Sequence, residues 1–422
     1  MRHLIIGAGP AGVVAAETLR KLDADAQITI IGDEPSPPYS RMAIPYLLIN
    51  QIEASGTHLR KSPEHFSSQK IEVRQDRVTR VQPDRKTVAL QSGTELTYDT
   101  LLIATGSQPM SPPIPGTDAP GVYPCWTLQD ASQIMQRAQP GAKVVLMGAG
   151  FIGCIILEAL ATRGTDLTVV EMENRMVPRM LNDTAGNLIK TWCEGKGVKI
   201  LTSTTVQAIE RGQGTPPLTV RLSNGTTLAA DLVITATGVR PNIAFLQGSG
   251  IRTDLGVVVN EYLASSNPDV YAAGDVAQGL DFSTGSYAVQ AIQPTATEHG
   301  RIAASNMAGR TQVHRGSVNM NVLETMGLIS SSFGLWMGVE GGESAELLDA
   351  ERFRYLNLQF ADDRLVGASS IGFTEHVGVV RGLIQTKTRL HGWKQKLQHD
   401  PTRLMEAYLA NTLAIGHNAG VV

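Results

Sequence analysis

The chain contains 422 residues with a formal net charge of -3, and 18% of its residues are charged. This length exceeds one ordinary compact core, so two or three domains are expected. The charge balance provides neither the basic face that nucleic acid requires nor an acidic disordered tail. No apolar run reaches the roughly 18 residues of a membrane span. We therefore expect no nucleic-acid partner and no membrane partner.

The spacing of cysteine and histidine excludes further classes of protein. Cys125, Cys154 and Cys193 form no CxxC pair, and the histidines show no HxH or HExxH spacing. Neither a disulfide framework nor a metal site is therefore indicated. The apolar run Leu4 to Ile6 predicts a strand so close to Met1 that no room is left for a signal peptide. These features fit a reducing cytoplasm.

The first element is a glycine-rich turn between a strand and a helix. GAGPAG at Gly7 to Gly12 follows the apolar run, and the helical stretch Val13 to Lys21 and the strand Gln27 to Ile31 come next. In a dinucleotide-binding turn of this kind, the first glycine makes a tight turn, the second lets the backbone approach a pyrophosphate, and the third allows close helix packing. Asp33 or Glu34, beyond the second strand, could accept hydrogen bonds from a ribose diol.

The same pattern returns later in the chain. GAGFIG at Gly148 to Gly153 is followed by the helical stretch Cys154 to Arg163 and the strand Leu167 to Val170. LLIATGSQP, which begins at Leu101, is likewise echoed by LVITATGVRPN, which begins at Leu232. One GxGxxG motif is weak evidence, but two copies in matching settings indicate the duplication of a whole dinucleotide-binding domain.

The acid after the second repeat's strand favours one coenzyme over the other. Glu171 lies where a ribose 2′-hydroxyl would sit, and a carboxylate there repels a 2′-phosphate. NAD is therefore favoured over NADP. Arg175 and Arg179 leave NADP open because arginine pairs well with phosphate, although a solvated helix face is the preferred interpretation of both.

Short alternating runs predict hairpins inserted after each βαβ unit, as at Arg77 to Val81, Thr87 to Leu90 and Leu218 to Leu222. Beyond residue 312 the composition changes. Strand-like stretches at Arg354 to Phe360 and Leu365 to Ser369 precede helical ones, which predicts an α+β domain.

The predicted fold is α/β, with two Rossmann-like three-layer domains that carry antiparallel hairpins, followed by a C-terminal α+β domain. The first domain is discontinuous and comprises residues 1–110 and 247–311. The second comprises residues 111–246, and residues 312–422 form a C-terminal interface domain.

Taken together, the motifs resemble those of the pyridine nucleotide-disulfide oxidoreductase superfamily, particularly its branch of ferredoxin, rubredoxin and nitrite reductase-type NADH flavoproteins. The resemblance covers residues 1 to 310. Its matching motifs are the two glycine-rich turns, Tyr39-Ser40-Arg41, Ala104-Thr105-Gly106, Ala236-Thr237-Gly238 and Val270-Tyr271-Ala272-Ala273-Gly274-Asp275.

The resemblance implies FAD in the first domain and NAD(H) in the second. It places Arg41 near the FAD diphosphate and Asp275 on the ribityl chain, with a helix N-cap as the alternative for Asp275. A helix beginning near Pro294 would point its positive end at the flavin. The implied FAD-binding residues are Gly7, Gly9, Pro10, Ala11, Gly12, Asp33, Glu34, Arg41, Ala104, Thr105, Gly106, Gly274, Asp275, Pro294 and Thr295. Those for NAD are Gly148, Gly150, Phe151, Ile152, Gly153, Glu171, Thr237 and Gly238.

Departures from the family pattern concern the chemistry beside the flavin. Disulfide-reducing members carry cysteine near the stretch Met42 to Tyr46, and this chain has none there, so a mechanism with a thiolate nucleophile is disfavoured. Tyr46, expected near the flavin, replaces a lysine of many relatives, and Ile155 replaces a glutamate. Losing both charges keeps the site neutral, and Glu158 is not expected to substitute. No catalytic side chain is required for hydride transfer.

The expected function is hydride transfer between NAD(H) and FAD and single-electron transfer between FAD and an iron-sulfur protein. The chain would be the NAD-linked subunit of a larger redox system, for example a metal-dependent aldehyde or nitrite oxidoreductase. A self-sufficient NADH oxidase and a non-enzymatic, flavin-dependent interaction protein are the alternatives. A homo-oligomer is left open.

Overall fold

A computed structural model describes residues 1–212 and 214–418, with side chains through residue 412. Contacts divide the chain into two compact units, Met1–Met110 with Val239–Ser317 and Ser111–Gly238 with Val318–Val422. Residue 213 of the predicted NAD domain and residues 419–422 of the predicted C-terminal domain lie outside the described residues.

Residues 1–110 begin the first unit. Their strands are β1 Arg2–Ile6, β2 Gln27–Gly32, β3 Ile71–Gln75, β4 Val78–Gln82, β5 Thr87–Leu90, β6 Glu95–Thr97, β7 Thr100–Ile103 and β8 Ser107–Pro109. Their α-helices are α1 Pro10–Leu22, α2 Ile44–Leu48 and α3 His65–Ser68.

Residues 111–238 begin the second unit. Their strands are β9 Val122–Pro124, β10 Lys143–Met147, β11 Asp166–Val170, β12 Lys199–Leu201, β13 Val206–Arg211, β14 Leu218–Leu222, β15 Thr227–Ala230 and β16 Leu232–Thr235. Their α-helices are α4 Leu128–Arg137, α5 Phe151–Thr162 and α6 Asp183–Gly195.

Residues 239–317 complete the first unit, and the rest of the chain completes the second. The former contain β17 Val239–Pro241, β18 Val257–Val258, β19 Val270–Ala272, β20 Ala277–Leu280, β21 Tyr287–Val289 and α7 Gln293–Met307. The latter contain β22 Met320–Thr325, β23 Leu328–Gly334, β24 Glu343–Asp349, β25 Arg354–Ala361, β26 Arg364–Ile371, α8 Val377–Thr386, α9 Gly392–His399 and α10 Leu404–Asn418.

The core of the first unit is a five-stranded parallel sheet in the order β19-β7-β1-β2-β3. Ile5 at its centre pairs with Ile30 and Leu102, and all three are fully buried. Such continuous apolar runs are typical of parallel strands that are covered on both faces. Helices α1 and α7 approach closely, because a Cβ on Gly300 would lie 2.4 Å from the carbonyl oxygen of Ala11.

The second unit repeats this plan in its segment Ser111–Gly238. Its five-stranded parallel sheet has the order β12-β11-β10-β16-β9, and a separate antiparallel sheet has the order β13-β14-β15. The first unit carries the matching antiparallel sheet β4-β5-β6. The predicted α/β fold with two Rossmann-like domains and inserted hairpins is confirmed.

The C-terminal part of the second unit is an antiparallel sheet in the order β22-β23-β26-β25-β24, with α8 to α10. The sequence analysis identified only the two strands that became β25 and β26. Strand β23 lacks a clear apolar alternation because the buried Ser330, Ser331 and Ser332 occupy its middle.

The turn between β22 and β23 is hydrogen-bonded to the segment Ser111–Gly238 of the same unit. Glu158 accepts a hydrogen bond from the backbone N–H of Met326 at 2.9 Å, and the indole of Trp192 donates to the Met326 carbonyl at 3.2 Å. Asn182, the N-cap of α6, donates to the Tyr355 hydroxyl at 2.6 Å. These contacts explain why Val318–Val422 and Ser111–Gly238 form one compact unit.

Within the described part of the chain, none of the helices has both the length and the apolar character needed to cross a bilayer.

Candidate functional site

The first glycine-rich turn joins β1 to α1 and leaves the start of the helix uncapped. Gly9 is the N-cap of α1, with no side-chain hydrogen bond to the first turn, and Pro10 begins the helix. The first N–H groups of a helix have no partners within it and favour an anion. This helix end can therefore receive a negatively charged group.

The three glycines of this turn have different surroundings. A Cβ on Gly7 would lie 2.1 Å from the Ala104 carbonyl oxygen, and one on Gly12 would lie 2.0 Å from the Gly7 carbonyl oxygen. A Cβ on Gly9 meets no described heavy atom within 4 Å. Gly7 and Gly12 are thus required by close backbone packing, and the space beside Gly9 fits a diphosphate.

The second glycine-rich turn reproduces this pattern between β10 and α5. A Cβ would lie 2.5 Å from the Ala236 carbonyl oxygen at Gly148 and 2.1 Å from the Gly148 carbonyl oxygen at Gly153. At Gly150, the N-cap of α5, it meets no described heavy atom within 4 Å. Phe151 and Ile152 form the first turn of the helix. The second turn also fits a diphosphate.

The motifs after β7 and β16 lie against these two turns. Ala104 supports Gly7, as Ala236 supports Gly148. Thr105 donates from its hydroxyl to the Asn242 carbonyl at 2.9 Å, and the Asn242 amide donates back to the Thr105 carbonyl at 3.0 Å. Thr237 follows Ala236 directly. Each motif ends on a glycine with positive φ, Gly106 in the first and Gly238 in the second.

The two acids after β2 are held differently. Glu34 accepts from the Tyr39 hydroxyl at 2.6 Å and from Arg41 at 2.7 Å, and Arg41 also donates to the Tyr39 hydroxyl at 2.9 Å. Asp33 forms a more exposed ion pair with Arg77 at 2.9 Å. Glu34, Tyr39 and Arg41 therefore form a closed ring of hydrogen bonds, which we call the Glu34 ring.

The acid of the second repeat is held by backbone amides. Glu171 is 5% exposed and accepts from the N–H groups of Ala149 at 2.6 Å and Glu173 at 2.9 Å. Its carboxylate thus lies directly against the second glycine-rich turn.

The interpretation of Arg175 and Arg179 as a solvated helix face is wrong in its helix for both residues and in its solvation for Arg175. Both lie in the loop between β11 and α6. Arg175 donates to the Leu181 carbonyl at 2.9 Å and pairs with Asp183 at 2.8 Å, and its side chain is 17% exposed. Arg179 is exposed in the same loop.

Asp275 lies beyond β19 in a short 3-10 helix, Gly274–Val276, of which Ala273 is the N-cap. The alternative N-cap role of Asp275 is therefore wrong. The Ser107 hydroxyl donates to its carboxylate at 3.0 Å, while burial raises the pKa of Asp275. A buried carboxylate with one hydroxyl partner retains acceptor capacity for a ligand hydroxyl.

Helix α7 begins at Gln293, and no side chain caps it. Pro294 lies at its start and Thr295 is buried in its first turn. The N-terminus therefore offers uncapped amides, and the expected direction of this helix toward the flavin stays a prediction.

Two buried histidines, His299 and His314, make contacts beside Gly274 that the sequence did not predict. His299 on α7 accepts a hydrogen bond from the Gly274 N–H at 3.4 Å, and its ring meets the edge of His314 with centroids 4.5 Å apart. Burial, followed by the charge of His314, lowers the pKa of His299 to about 3. No motif in the sequence marks this contact, because it joins residues 25 positions apart.

The side chains at the two departures carry no charge pair. Tyr46 is 53% exposed on α2, and Ile155 is half-buried in α5. Glu158 is committed to the Met326 amide, which agrees with the expectation that it does not replace the missing glutamate.

The three cysteines have the character of packing residues. Burial raises the pKa of Cys125 and Cys193 to about 12, and it raises that of Cys154 well above its ordinary value. A thiol must ionise to attack a disulfide. Burial therefore disfavours the thiolate form of all three. Among the described residues, no group of three His, Cys, Asp or Glu side chains could hold a metal ion.

Known proteins are similar to this chain in both sequence and fold. The profile of the pyridine nucleotide-disulphide oxidoreductase family matches residues 1–300. The chain is 32% identical over 419 residues to the epsilon subunit of NADH-dependent phenylglyoxylate dehydrogenase from Aromatoleum evansii, over 98% of this chain and 96% of that protein.

Two further matches cover less of the sequence or show lower identity. An NADH oxidase from Methanocaldococcus jannaschii is 32% identical over 319 residues, which are 73% of this chain and 70% of that protein. The solved structure of a ferredoxin reductase from Rhodopseudomonas palustris has a TM-score of 0.85 at 25% identity and covers 92% of this chain and 95% of that chain.

Proposed function

Since this chain belongs to the pyridine nucleotide-disulphide oxidoreductase family, we propose that it transfers electrons between NAD(H) and an iron-sulfur protein. It is an FAD-dependent NAD(H) oxidoreductase, and FAD and NAD(H) are its cofactors. When bound, FAD accepts a hydride from NADH and can release the two electrons one at a time. The similarity of this chain to a ferredoxin reductase supports the proposal of an iron-sulfur partner.

We propose that FAD is bound by the first unit through the glycine-rich turn, the Glu34 ring, Asp275 and the start of α7. NAD(H) is bound through the second turn and Glu171, and residues 312–422 serve as the interface domain. The open spaces beside Gly9 and Gly150 support two diphosphate sites. The uncapped helix starts supply N–H donors for an anionic ligand.

The observation that carries the choice of acceptor is the absence of cysteine from the stretch Tyr39 to Tyr46. A disulfide substrate needs a thiolate nucleophile, whereas Cys154 and Cys193 are buried, and burial raises the pKa of all three thiols of the chain. One-electron transfer needs no such group. The protein is therefore proposed to serve a one-electron acceptor rather than a disulfide.

The test reduces the enzyme with NADH and compares four acceptors: ferricyanide, methyl viologen, glutathione disulfide and oxygen. Fast reduction of the one-electron dyes and slow turnover of the disulfide are expected. Cys125→Ser is the matched control and should leave every rate unchanged, because the Cys125 thiol takes no part. Fast disulfide turnover that this substitution abolishes would reject the proposal, and fast oxygen reduction without a partner would favour an NADH oxidase.

We further propose that the chain is the NAD-linked subunit of a larger redox enzyme, such as a metal-dependent aldehyde or nitrite oxidoreductase. The match to a dehydrogenase subunit over nearly the whole of both chains supports this proposal. Affinity purification from the native host should recover iron-containing subunits in fixed ratio. Recovery of this chain alone, with full NADH oxidation in the purified fraction, would contradict the subunit role.

A further inference from the structure

A cavity of about 330 Å³ lies in the C-terminal part of the second unit, between its antiparallel sheet and the helices α8 and α10. This volume is within the usual range of small-molecule sites. Its lining comes from residues 331–404, so none of the residues proposed for FAD or NAD(H) contributes to it.

The walls of the cavity are largely apolar. Phe333 and Leu356 line it from the sheet, and Val380 and Leu404 line it from the two helices. Each of these four side chains is at least 95% buried. Apolar walls that face an open space gain from contact with the apolar body of a ligand.

One cation lies among these walls. The guanidinium of Arg354 stacks over the Phe373 ring, 4.0 Å from its centroid, and pairs with Glu375 at 3.3 Å. Its Nε is buried and has no hydrogen-bond partner among the described residues. Leaving such a donor without a partner costs free energy. Stacking and the ion pair orient the guanidinium, whose side chain is 39% exposed, within the lining of the cavity.

The other polar groups in the lining are compatible with an anionic acceptor. The Nδ1 of His376 is also buried without a partner among the described residues. Ser331 and Ser370 share a hydrogen bond of 2.7 Å between their hydroxyls. Glu375 is the one carboxylate among the described lining residues, and it is already paired with Arg354.

We propose that this cavity binds a small monocarboxylate with an apolar body. The carboxylate accepts hydrogen bonds from Arg354, because the planar guanidinium matches the geometry of a carboxylate. The apolar body contacts Phe333, Leu356 and the helix side chains. A neutral molecule of the same shape lacks the charge-assisted contact and binds more weakly.

The experiment measures binding to the FAD-loaded protein by isothermal titration calorimetry. Benzoate and hexanoate are the probes, and benzamide is the neutral counterpart of benzoate. Both acids are expected to bind at one site, with benzamide at least about tenfold weaker, which corresponds to the loss of one charge-assisted hydrogen bond. Absence of acid binding up to about 10 mM, beyond the range of weak millimolar affinity, would overturn the proposal.

Three variants make the result specific. Arg354→Gln should weaken benzoate binding about tenfold or more and remove the preference over benzamide. Arg352→Gln is the matched control, because this neighbouring arginine has an 80% exposed side chain and pairs with Asp349 outside the cavity. Ala368→Leu, which adds carbon atoms inside the cavity, should also abolish binding. Equal effects of the two arginine variants, or unchanged binding in Ala368→Leu, would place the ligand elsewhere.

Thermal melting of each variant accompanies the titrations. A folded Arg354→Gln protein that still binds benzoate as tightly as the wild type would refute the role of Arg354. If that variant does not fold, the benzoate-to-benzamide preference of the wild type and the Ala368→Leu result decide the proposal.

Discussion

The substitution Gly9→Ala tests the proposed diphosphate site most directly, because it adds one methyl group to a space that holds no described heavy atom within 4 Å. Gly9 has φ -81° and ψ -174°, an extended conformation that alanine adopts without strain. The protein should therefore fold normally. The added methyl would lie where we propose that the diphosphate of FAD approaches the backbone.

Gly9→Ala should change FAD binding more than it changes the free energy of unfolding. At an N-cap, alanine is less favourable than glycine by about 0.5–1 kcal/mol, but it also restricts the unfolded chain and regains about 0.4–1 kcal/mol. Stability should change by less than about 1 kcal/mol. Losing one charge-assisted hydrogen bond to the diphosphate costs about 1.5–3 kcal/mol, so the Kd for FAD should rise about tenfold to a hundredfold.

The assay titrates FAD into apoprotein and follows the quenching of flavin fluorescence, with urea unfolding of the same apoprotein. Gly12→Ala is the contrasting variant: its Cβ would lie 2.0 Å from a backbone oxygen, so it should lose stability by more than the roughly 1–3 kcal/mol of ordinary overpacking. Gly150→Ala is the control for location and should weaken NADH binding while leaving FAD binding intact. Wild-type FAD affinity in Gly9→Ala would refute the diphosphate site.

Three further predictions concern side chains around the two turns. Tyr39→Phe breaks the Glu34 ring and should raise the Kd for FAD about fivefold to tenfold, whereas Tyr287→Phe at an exposed tyrosine should not. Glu171→Arg should shift the kcat/KM ratio from NADH toward NADPH, with an unchanged ratio showing that Glu171 does not touch the ribose. Burial lowers the pKa of His299 in the folded protein to about 3, from an ordinary value of 6.5. Between these two pH values only the unfolded chain protonates this imidazole, so the free energy of unfolding falls as pH drops from 6.5 toward 3. His299→Gln should flatten that slope, by at most about 1.4 kcal/mol per pH unit, as measured by urea unfolding, while His391→Gln at an exposed histidine should not.

The sequence predicted the features that depend on short spacing. The GAGPAG and GAGFIG turns, the helices after them and the acids after the next strands are each determined by neighbours within one βαβ unit. Strands β25 and β26 could be predicted because their apolar positions are dense. The serine-rich β23 could not, because its burial is imposed by the strands beside it.

Contacts between distant residues could not be predicted. His299 meets Gly274 and His314 only after α7 has folded back onto the first sheet. The backbone of Met326 is likewise hydrogen-bonded by the side chains of Glu158 and Trp192, which precede it in the chain by more than 130 positions. Sequence periodicity reports contacts within one helix or strand. Both contacts join residues from separate elements, so neither can be recognised from the sequence.

The two repeats share a backbone plan, but their acids have diverged in a way that suits two different ligands. Glu34 is bound to a cation and a hydroxyl, those of Arg41 and Tyr39. Glu171 is bound to two backbone amides, one from the second glycine-rich turn at Ala149 and one from its own loop at Glu173, so its carboxylate is held in position by the fold itself. A carboxylate held in this position discriminates by repulsion against a 2′-phosphate. On this reasoning the arrangement at the second turn is consistent with our proposal that this turn binds NAD(H) in preference to NADP(H).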